Sequence, residues 1–231
     1  ATVVPIPAAS APEEVAFRLR NADVAAVLTD QDRAGLVDSG RSRLVDRAPP
    51  RLSLEDVVGG EGDAVVRPTP APSGTPAMLL YTSGTTGQAR AAMISHASLL
   101  LHTAGLAHHA LTLDGDDVVL GALPLTHSYG CRMVMLASLY VGCRVVLLER
   151  FEPARSLQVM VEEGVTWAPA VPTMFAAWAA VPGGTRPAAL KWCLSAGSPL
   201  TESVRVRAEA RLGAEIRQGY GMTEATFSTV D

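Results

Sequence analysis

The residues 81–90, Tyr81-Thr82-Ser83-Gly84-Thr85-Thr86-Gly87-Gln88-Ala89-Arg90, gather glycines, small hydroxyls and a cation into one short stretch. Glycine lets a backbone bend until several N–H groups converge on an anion, and Thr82, Ser83, Thr85 and Thr86 add hydroxyl donors. Arg90 adds the positive charge. Phosphate is the guest such a loop suits, and a solvated turn of small polar residues is the competing reading. A kinase-type phosphate loop needs Gly-Lys-Ser/Thr at its end, and Gly87-Gln88-Ala89 stands there instead. Two further residues invite chemistry less strongly by themselves. Taken alone, His127 reads as a satisfied histidine at a strand end, and Glu224 reads as a surface acid. His102, His108 and His109 fall on a predicted helix without a Cys, Asp or Glu cluster beside them, so no metal is assigned there.

The elements that must position these residues alternate along the chain. Apolar runs at 2–6 and 25–28 flank an amphipathic helix opened by Pro12-Glu13-Glu14 and running through Asn21, a βαβ rhythm. Residues 31–66 are polar and weakly periodic. Four prolines between Pro68 and Pro76 forbid a regular element, so a linker is expected at 67–76, between a βα piece at 1–66 and a core at 77–231. Strands are expected at 77–81, 118–121, 144–148, 166–168, 191–195 and 215–218, and helices at 97–110, 130–141, 154–163, 172–180 and 201–212. That alternation predicts a layered α/β fold, αβα, with mostly parallel sheets flanked by helices. Ligands of such sheets bind beyond the carboxyl ends of the strands, which selects the exits after Tyr81, Gly121 and Gln218. Met133, Met135 and Leu136 are expected in the core, with part of their helix walling a pocket.

Composition narrows the function classes. The 231 residues are 48% apolar and 18% charged, enough to close a sizeable core. With 19 basic residues scattered against 23 acidic ones, no nucleic-acid partner is expected. The most apolar stretch, 165–181, is interrupted by Pro169, Pro172 and Thr173 and is shorter than the ~20 residues a membrane-spanning helix needs. Cys131, Cys143 and Cys193 sit in apolar surroundings, which suggests buried free thiols in a reducing compartment, the cytoplasm. Residue 1 is Ala, with no basic or apolar leader behind it, and the chain is read as an excised piece.

Tyr81 to His96, YTSGTTGQARAAMISH, resembles the phosphate-loop signature of the adenylate-forming superfamily of acyl- and aryl-CoA ligases, adenylation domains and luciferases. Two more signatures follow in the family's order: Leu123-Pro124-Leu125-Thr126-His127-Ser128-Tyr129-Gly130 is similar to the motif gating the acid pocket, and Gly219-Tyr220-Gly221-Met222-Thr223-Glu224 to the adenylate-binding motif. Ser195-Ala196-Gly197-Ser198-Pro199-Leu200 resembles the small-residue loop lying against adenine. The resemblance implies a central fragment of the large N-terminal domain of such an enzyme. It also implies that a carboxylic acid attacks the α-phosphorus of ATP, with magnesium, and that the acyl group then passes to the thiol of coenzyme A or of the phosphopantetheine arm of an acyl carrier protein. By the same resemblance, Thr82, Ser83, Gly84, Thr85, Thr86 and Gly87 hold the β- and γ-phosphates. Gly197, Ser198, Pro199, Gly219, Tyr220, Gly221 and Met222 bind the nucleotide, with Tyr220 against adenine. Thr223 donates to the α-phosphate, and Glu224 binds the magnesium ion. His127, Tyr129, Met133 and Gly219 shape the acid pocket, and His127 and Arg90 join Thr223 and Glu224 as catalytic residues.

Where the family has Pro-Lys-Gly this chain has Ala89-Arg90-Ala91, which keeps the charge but not the point-like ammonium or the glycine. Amino-acid-activating relatives place an aspartate beside the gating motif, and Thr126-His127-Ser128-Tyr129 lacks one, so a fatty or aryl acid without an α-amino group is expected. The family's fold continues for roughly as long again beyond Glu224, so the isolated chain is expected to be inactive. The alternative is a truncated or degenerate module that binds a nucleotide or partner without catalysis.

Overall fold

The computed structural model describes residues 1–45, 47–59, 70–82 and 89–230, with the side chain of Thr226 excepted. These fall into two compact units, one of Ala1–Tyr81 with Met93–His96 and one of Thr82–Ala92 with Ala97–Asp231.

In the first unit, α1 (Pro12–Asn21) starts on a proline, carries Glu13 and Glu14 in its first turn and ends on Arg18 and Arg20, so its charges complement the helix dipole at both ends. Val15 and Leu19 on its buried face pack with Val27 and Val37. Val27 belongs to β1 (Val27–Thr29) and Val37 to α2 (Ala34–Arg41), and β1 pairs in parallel with β2 (Arg51–Ser53), which α3 (Leu54–Val58) follows. Gly40 is needed where α1 and α2 approach, because a Cβ there would lie 2.6 Å from Val15 Cγ1.

The second unit is built on a six-stranded sheet. Its strands are β5 (Val118–Gly121), β6 (Arg144–Leu147), β7 (Trp167–Ala170), β8 (Trp192–Ser195), β9 (Glu215–Met222) and β10 (Thr226–Val230), in the spatial order β10-β9-β8-β7-β5-β6. Every pairing from β6 to β9 is parallel, and β10 closes the edge antiparallel to β9. Because β6 lies on one side of β5 and β7 on the other, the winding reverses at β5. With right-handed crossovers, helices made before and after such a reversal fall on opposite faces. Accordingly, α4 (His96–Gly105) with its π-helical extension Leu106–Ala110, the π-helical Gly130–Leu136 and α5 (Ala137–Val141) form one group. The other group is α6 (Pro153–Glu162), α7 (Pro172–Ala180) and α8 (Glu202–Leu212). Strands β5, β7 and β8 read as apolar runs with Val119, Leu120, Trp167, Ala168, Cys193 and Leu194 almost wholly buried, as a sheet covered on both faces requires.

Several expectations need correction. Residues 2–6 form no strand beyond a single bridge of Val3 to Met78, since Pro5 and Pro7 remove ladder donors. Between 31 and 58, α2, β2 and α3 appear where periodicity was weak, because elements of three to eight residues are too short to show it. The glycine-rich loop does not lead directly into a helix. It joins β3 (Pro76–Thr82) to β4 (Arg90–Ser95), and α4 starts only after β4. The run Arg-Ala-Ala-Met-Ile-Ser has weak strand propensity, which pairing with β3 overrides. Finally, β9 runs four residues past Gln218, so Gly219 to Met222 lie in a strand, and pairing with β10 outweighs the usual weakness of glycine there.

Candidate functional site

Three segments leave the carboxyl edge of the six-stranded sheet: residues 122–129 after β5, 196–200 after β8 and 223–225 after β9, with β7 between the first two. The first is anchored by Tyr129. Its buried hydroxyl donates to the Leu194 carbonyl at 2.8 Å and reaches the Ala170 carbonyl at 3.4 Å, joining the ends of β8 and β7. Burial pushes the phenol well above its ordinary pKa, so it stays a donor. Gly130 follows because nothing larger fits: a Cβ there would lie 2.3 Å from the Pro124 carbonyl oxygen. His127 stands exposed on this segment, and its Nδ1 accepts the Tyr129 N–H at 3.2 Å, which leaves the proton on the outward Nε2. Met133, three residues beyond Gly130, is wholly buried in the core.

In the second segment Gly197 takes φ +89, a left-handed conformation that suits glycine, and Ser198 and Pro199 are exposed. The Leu200 N–H donates to Gln218 Oε1 at 3.1 Å, which ties this loop to β9. On β9, Tyr220, Gly221 and Met222 are exposed, while Gly219 lies under the ring of Phe227, where a Cβ would come within 2.1 Å of the ring. Phe227 in turn packs on Tyr129 with centroids 5.6 Å apart. The turn 223–225 carries Thr223, half-buried, and Glu224, exposed. Thr82 and Arg90 stand at the facing ends of β3 and β4, with Thr82 Oγ1 donating to the Arg90 carbonyl at 3.5 Å and the Arg90 side chain exposed. Ser83, Gly84, Thr85, Thr86 and Gly87 lie outside the described residues.

The sheet thus brings the regions of His127, Gly197 to Pro199 and Gly219 to Glu224 to one edge, and Tyr129, Phe227 and Gly219 into contact. Two side chains without a role in the sequence reading also touch this region. Arg132 Nη2 lies 3.5 Å from the Thr223 carbonyl, and His102 Nε2 accepts the Phe227 N–H at 3.2 Å. An arginine inside the otherwise apolar run Gly-Cys-Arg-Met-Val-Met-Leu was the signal for the first. Among the described residues no group of three His, Cys, Asp or Glu could hold a metal ion.

The chain is 32% identical over 228 residues to a long-chain-fatty-acid–CoA ligase of Thermus thermophilus, covering 93% of this chain and 41% of the relative. It is 31% identical over 228 residues to a sulfoacetate–CoA ligase of Cupriavidus necator, covering 96% and 44%. A crystallised malonyl-CoA ligase complex with methylmalonyl-CoA and AMP superposes with a TM-score of 0.83 at 29% identity, over 98% of this chain and 48% of that one. The chain therefore spans less than half the length of these proteins. The model of the AMP-binding enzyme family matches residues 1–231, the whole chain, which is therefore a member of that family.

Proposed function

We propose that the whole protein carrying this chain activates a carboxylic acid with ATP, forming an acyl-adenylate and pyrophosphate, and then transfers the acyl group to a thiol. The observation that carries this reading is the meeting of three family-like segments at one carboxyl edge, where the exposed His127, Tyr220 and Glu224 are available to a ligand. Attack of a carboxylate on the α-phosphorus opposes two anions, so the requirement is positioning and charge neutralisation. Glu224 would hold magnesium together with the phosphates. Thr223 would donate to the α-phosphate, Tyr220 would pack on adenine, and Arg90 would face the departing pyrophosphate. His127, with its Nε2–H outward, would line the junction of acid and phosphate, and Tyr129, Met133 and Gly219 would shape the acid pocket. The acceptor is coenzyme A or a carrier protein's phosphopantetheine, which present the same thiol. The acid lacks an α-amino group and is fatty or aryl in the broad reading, and the relatives' names span long-chain fatty acids and sulfoacetate. Among the described residues no helix is long and apolar enough to cross a membrane. Cys131 and Cys193 are buried and Cys143 half-buried, which suits thiols of a reducing compartment, and the proposed site of action is the cytoplasm.

The test is acid-dependent ATP–pyrophosphate exchange by the whole protein and its Glu224→Gln variant. Removing one preorganised charge partner should lower exchange by on the order of 10²-fold with an unchanged circular dichroism spectrum. Near-normal exchange would remove Glu224 from the metal's coordination.

A further inference from the structure

Among the described residues, no carboxylate neutralises the buried cation Arg132. It is 2% exposed, its Nη2 reaches the Thr223 carbonyl at 3.5 Å, and its Nε and Nη1 have no partner among the described residues. No ion pair among those residues includes it. Beside it, His102 accepts the Phe227 N–H through Nε2, which places the ring proton on Nδ1, and that buried N–H also lacks an acceptor. Burial first, and the Arg132 charge second, hold the imidazole below its ordinary pKa and keep it neutral. Both side chains are fixed on the same hairpin, Arg132 through Thr223 and His102 through Phe227. The result, among the described residues, is a group of N–H donors from two side chains with no acceptor to receive them.

A buried guanidinium left unpaired is costly, and each unmatched buried N–H adds to that cost. Such a set is complementary to a group that only accepts, an oxyanion. The nucleotide-type residues Ser198, Tyr220, Gly221, Met222 and Glu224 are all exposed, whereas Arg132 lies inside, next to Met133 and three residues after Tyr129. This is the acid's side of the site. We propose that Arg132, assisted by His102, forms a buried oxyanion site that receives a second anionic group, carboxylate or sulfonate, on the acid being activated. The proposal rests on the adenylation reading above and narrows its acid to one that carries two anionic groups.

The experiment compares the whole protein with its Arg132→Gln, Arg132→Met and His102→Gln variants, using a set of acids that pairs aliphatic monocarboxylates with dicarboxylates and sulfocarboxylates of equal chain length. In wild type the two-anion acids should be preferred. The ratio of kcat/KM between two-anion and one-anion acids should fall on the order of 10²–10³-fold in Arg132→Gln, the scale of losing one buried charge partner, and less in His102→Gln. Arg132→Met should also unfold at a higher temperature than wild type when no acid is present, because it removes an unpaired buried charge. A purely structural arginine would move that temperature down and leave the ratio alone, which would overturn the proposal. So would a loss confined to KM for ATP, which would assign the site to a nucleotide phosphate, or a wild-type preference for monocarboxylates. Exchange with no acid at all would instead sink the adenylation reading, and this inference with it.

Discussion

Asp117 opens β5 at the amino edge of the sheet, opposite the candidate site, and it is 2% exposed. Its Oδ1 accepts from Lys191 Nζ at 2.8 Å and from Thr166 Oγ1 at 2.6 Å, and its Oδ2 accepts from the Asp114 N–H at 3.0 Å. One carboxylate therefore ties the start of β5 to the residues preceding β7 and β8. Asp117→Ala leaves the Thr166 hydroxyl and the Asp114 N–H without this acceptor, at about 1 kcal/mol each. The Lys191 side chain is 54% exposed and regains water, so its loss is held to about 1 kcal/mol rather than the larger value of a buried pair. The expected destabilisation is about 3 kcal/mol. Asp117→Asn keeps an acceptor oxygen and should lose about half as much. Urea unfolding followed by tryptophan fluorescence is the suitable assay, because Trp167 and Trp192 adjoin Thr166 and Lys191.

The pH dependence gives a second check. Burial raises the Asp117 pKa, but the bonds from Lys191 and Thr166 outweigh it, and the net shift is downward. A carboxyl depressed in the folded state contributes stability above its unfolded pKa of about 4, and that contribution disappears as pH falls through the folded value. The gap between wild type and Asp117→Asn should thus be full at pH 7 and narrow below pH ~4. An Asp117→Ala loss under about 0.5 kcal/mol, or a gap that widens in acid, would refute the reasoning.

Two further outcomes can be checked. Gly219→Ala drives a methyl into the Phe227 ring, so it should cost about 1–3 kcal/mol and lower the melting temperature by several degrees, while the Gly219→Ala/Phe227→Ala double variant should recover part of that loss; simple additivity in the cycle would dismiss the contact. In the whole protein, Arg90→Ala should weaken ATP binding by about tenfold in calorimetry, the value of one charge-assisted bond, while Arg90→Lys should match or improve on wild type; three equal affinities would remove Arg90 from the site.

What was legible in the sequence follows from how local each signal is. The bounds of α1 were readable because Pro12, two acids and two arginines mark its ends, and α7 because Pro172 opens it and an apolar stretch follows from Met174. Strand β5 was equally plain as an apolar run ending on glycine. In contrast, β4 and the last half of β9 exist through pairing with β3 and β10, information carried by distant residues. The helix positions 97–110 and 130–141 were right in extent, but not the widening to π geometry at Leu106–Ala110 and Gly130–Leu136. The motif residues were found through resemblance. Arg132 and His102 were given no role: an arginine inside an apolar run is a visible signal, but what surrounds its donors and those of His102 is set by distant residues.

The two edges of the sheet are secured in different ways, and the difference bears on how a ligand could enter. At the amino edge, Asp117 locks β5 to its neighbours through a charge. At the carboxyl edge, Tyr129 does so with a neutral donor shared by two strand-end carbonyls, so lifting it would strip a bond from buried backbone acceptors at about 1–3 kcal/mol. Phe227 is held more lightly: its backbone N–H meets His102, its ring rests on Tyr129, and β10 carries a register shift between Phe227 and Thr229. Making room above Gly219 is therefore cheaper by turning the Phe227 ring than by moving the segment that carries His127. On this accounting, the acid pocket proposed above would have Tyr129 as its fixed wall and Phe227 as its adjustable one, a residue the Gly219/Phe227 cycle interrogates directly.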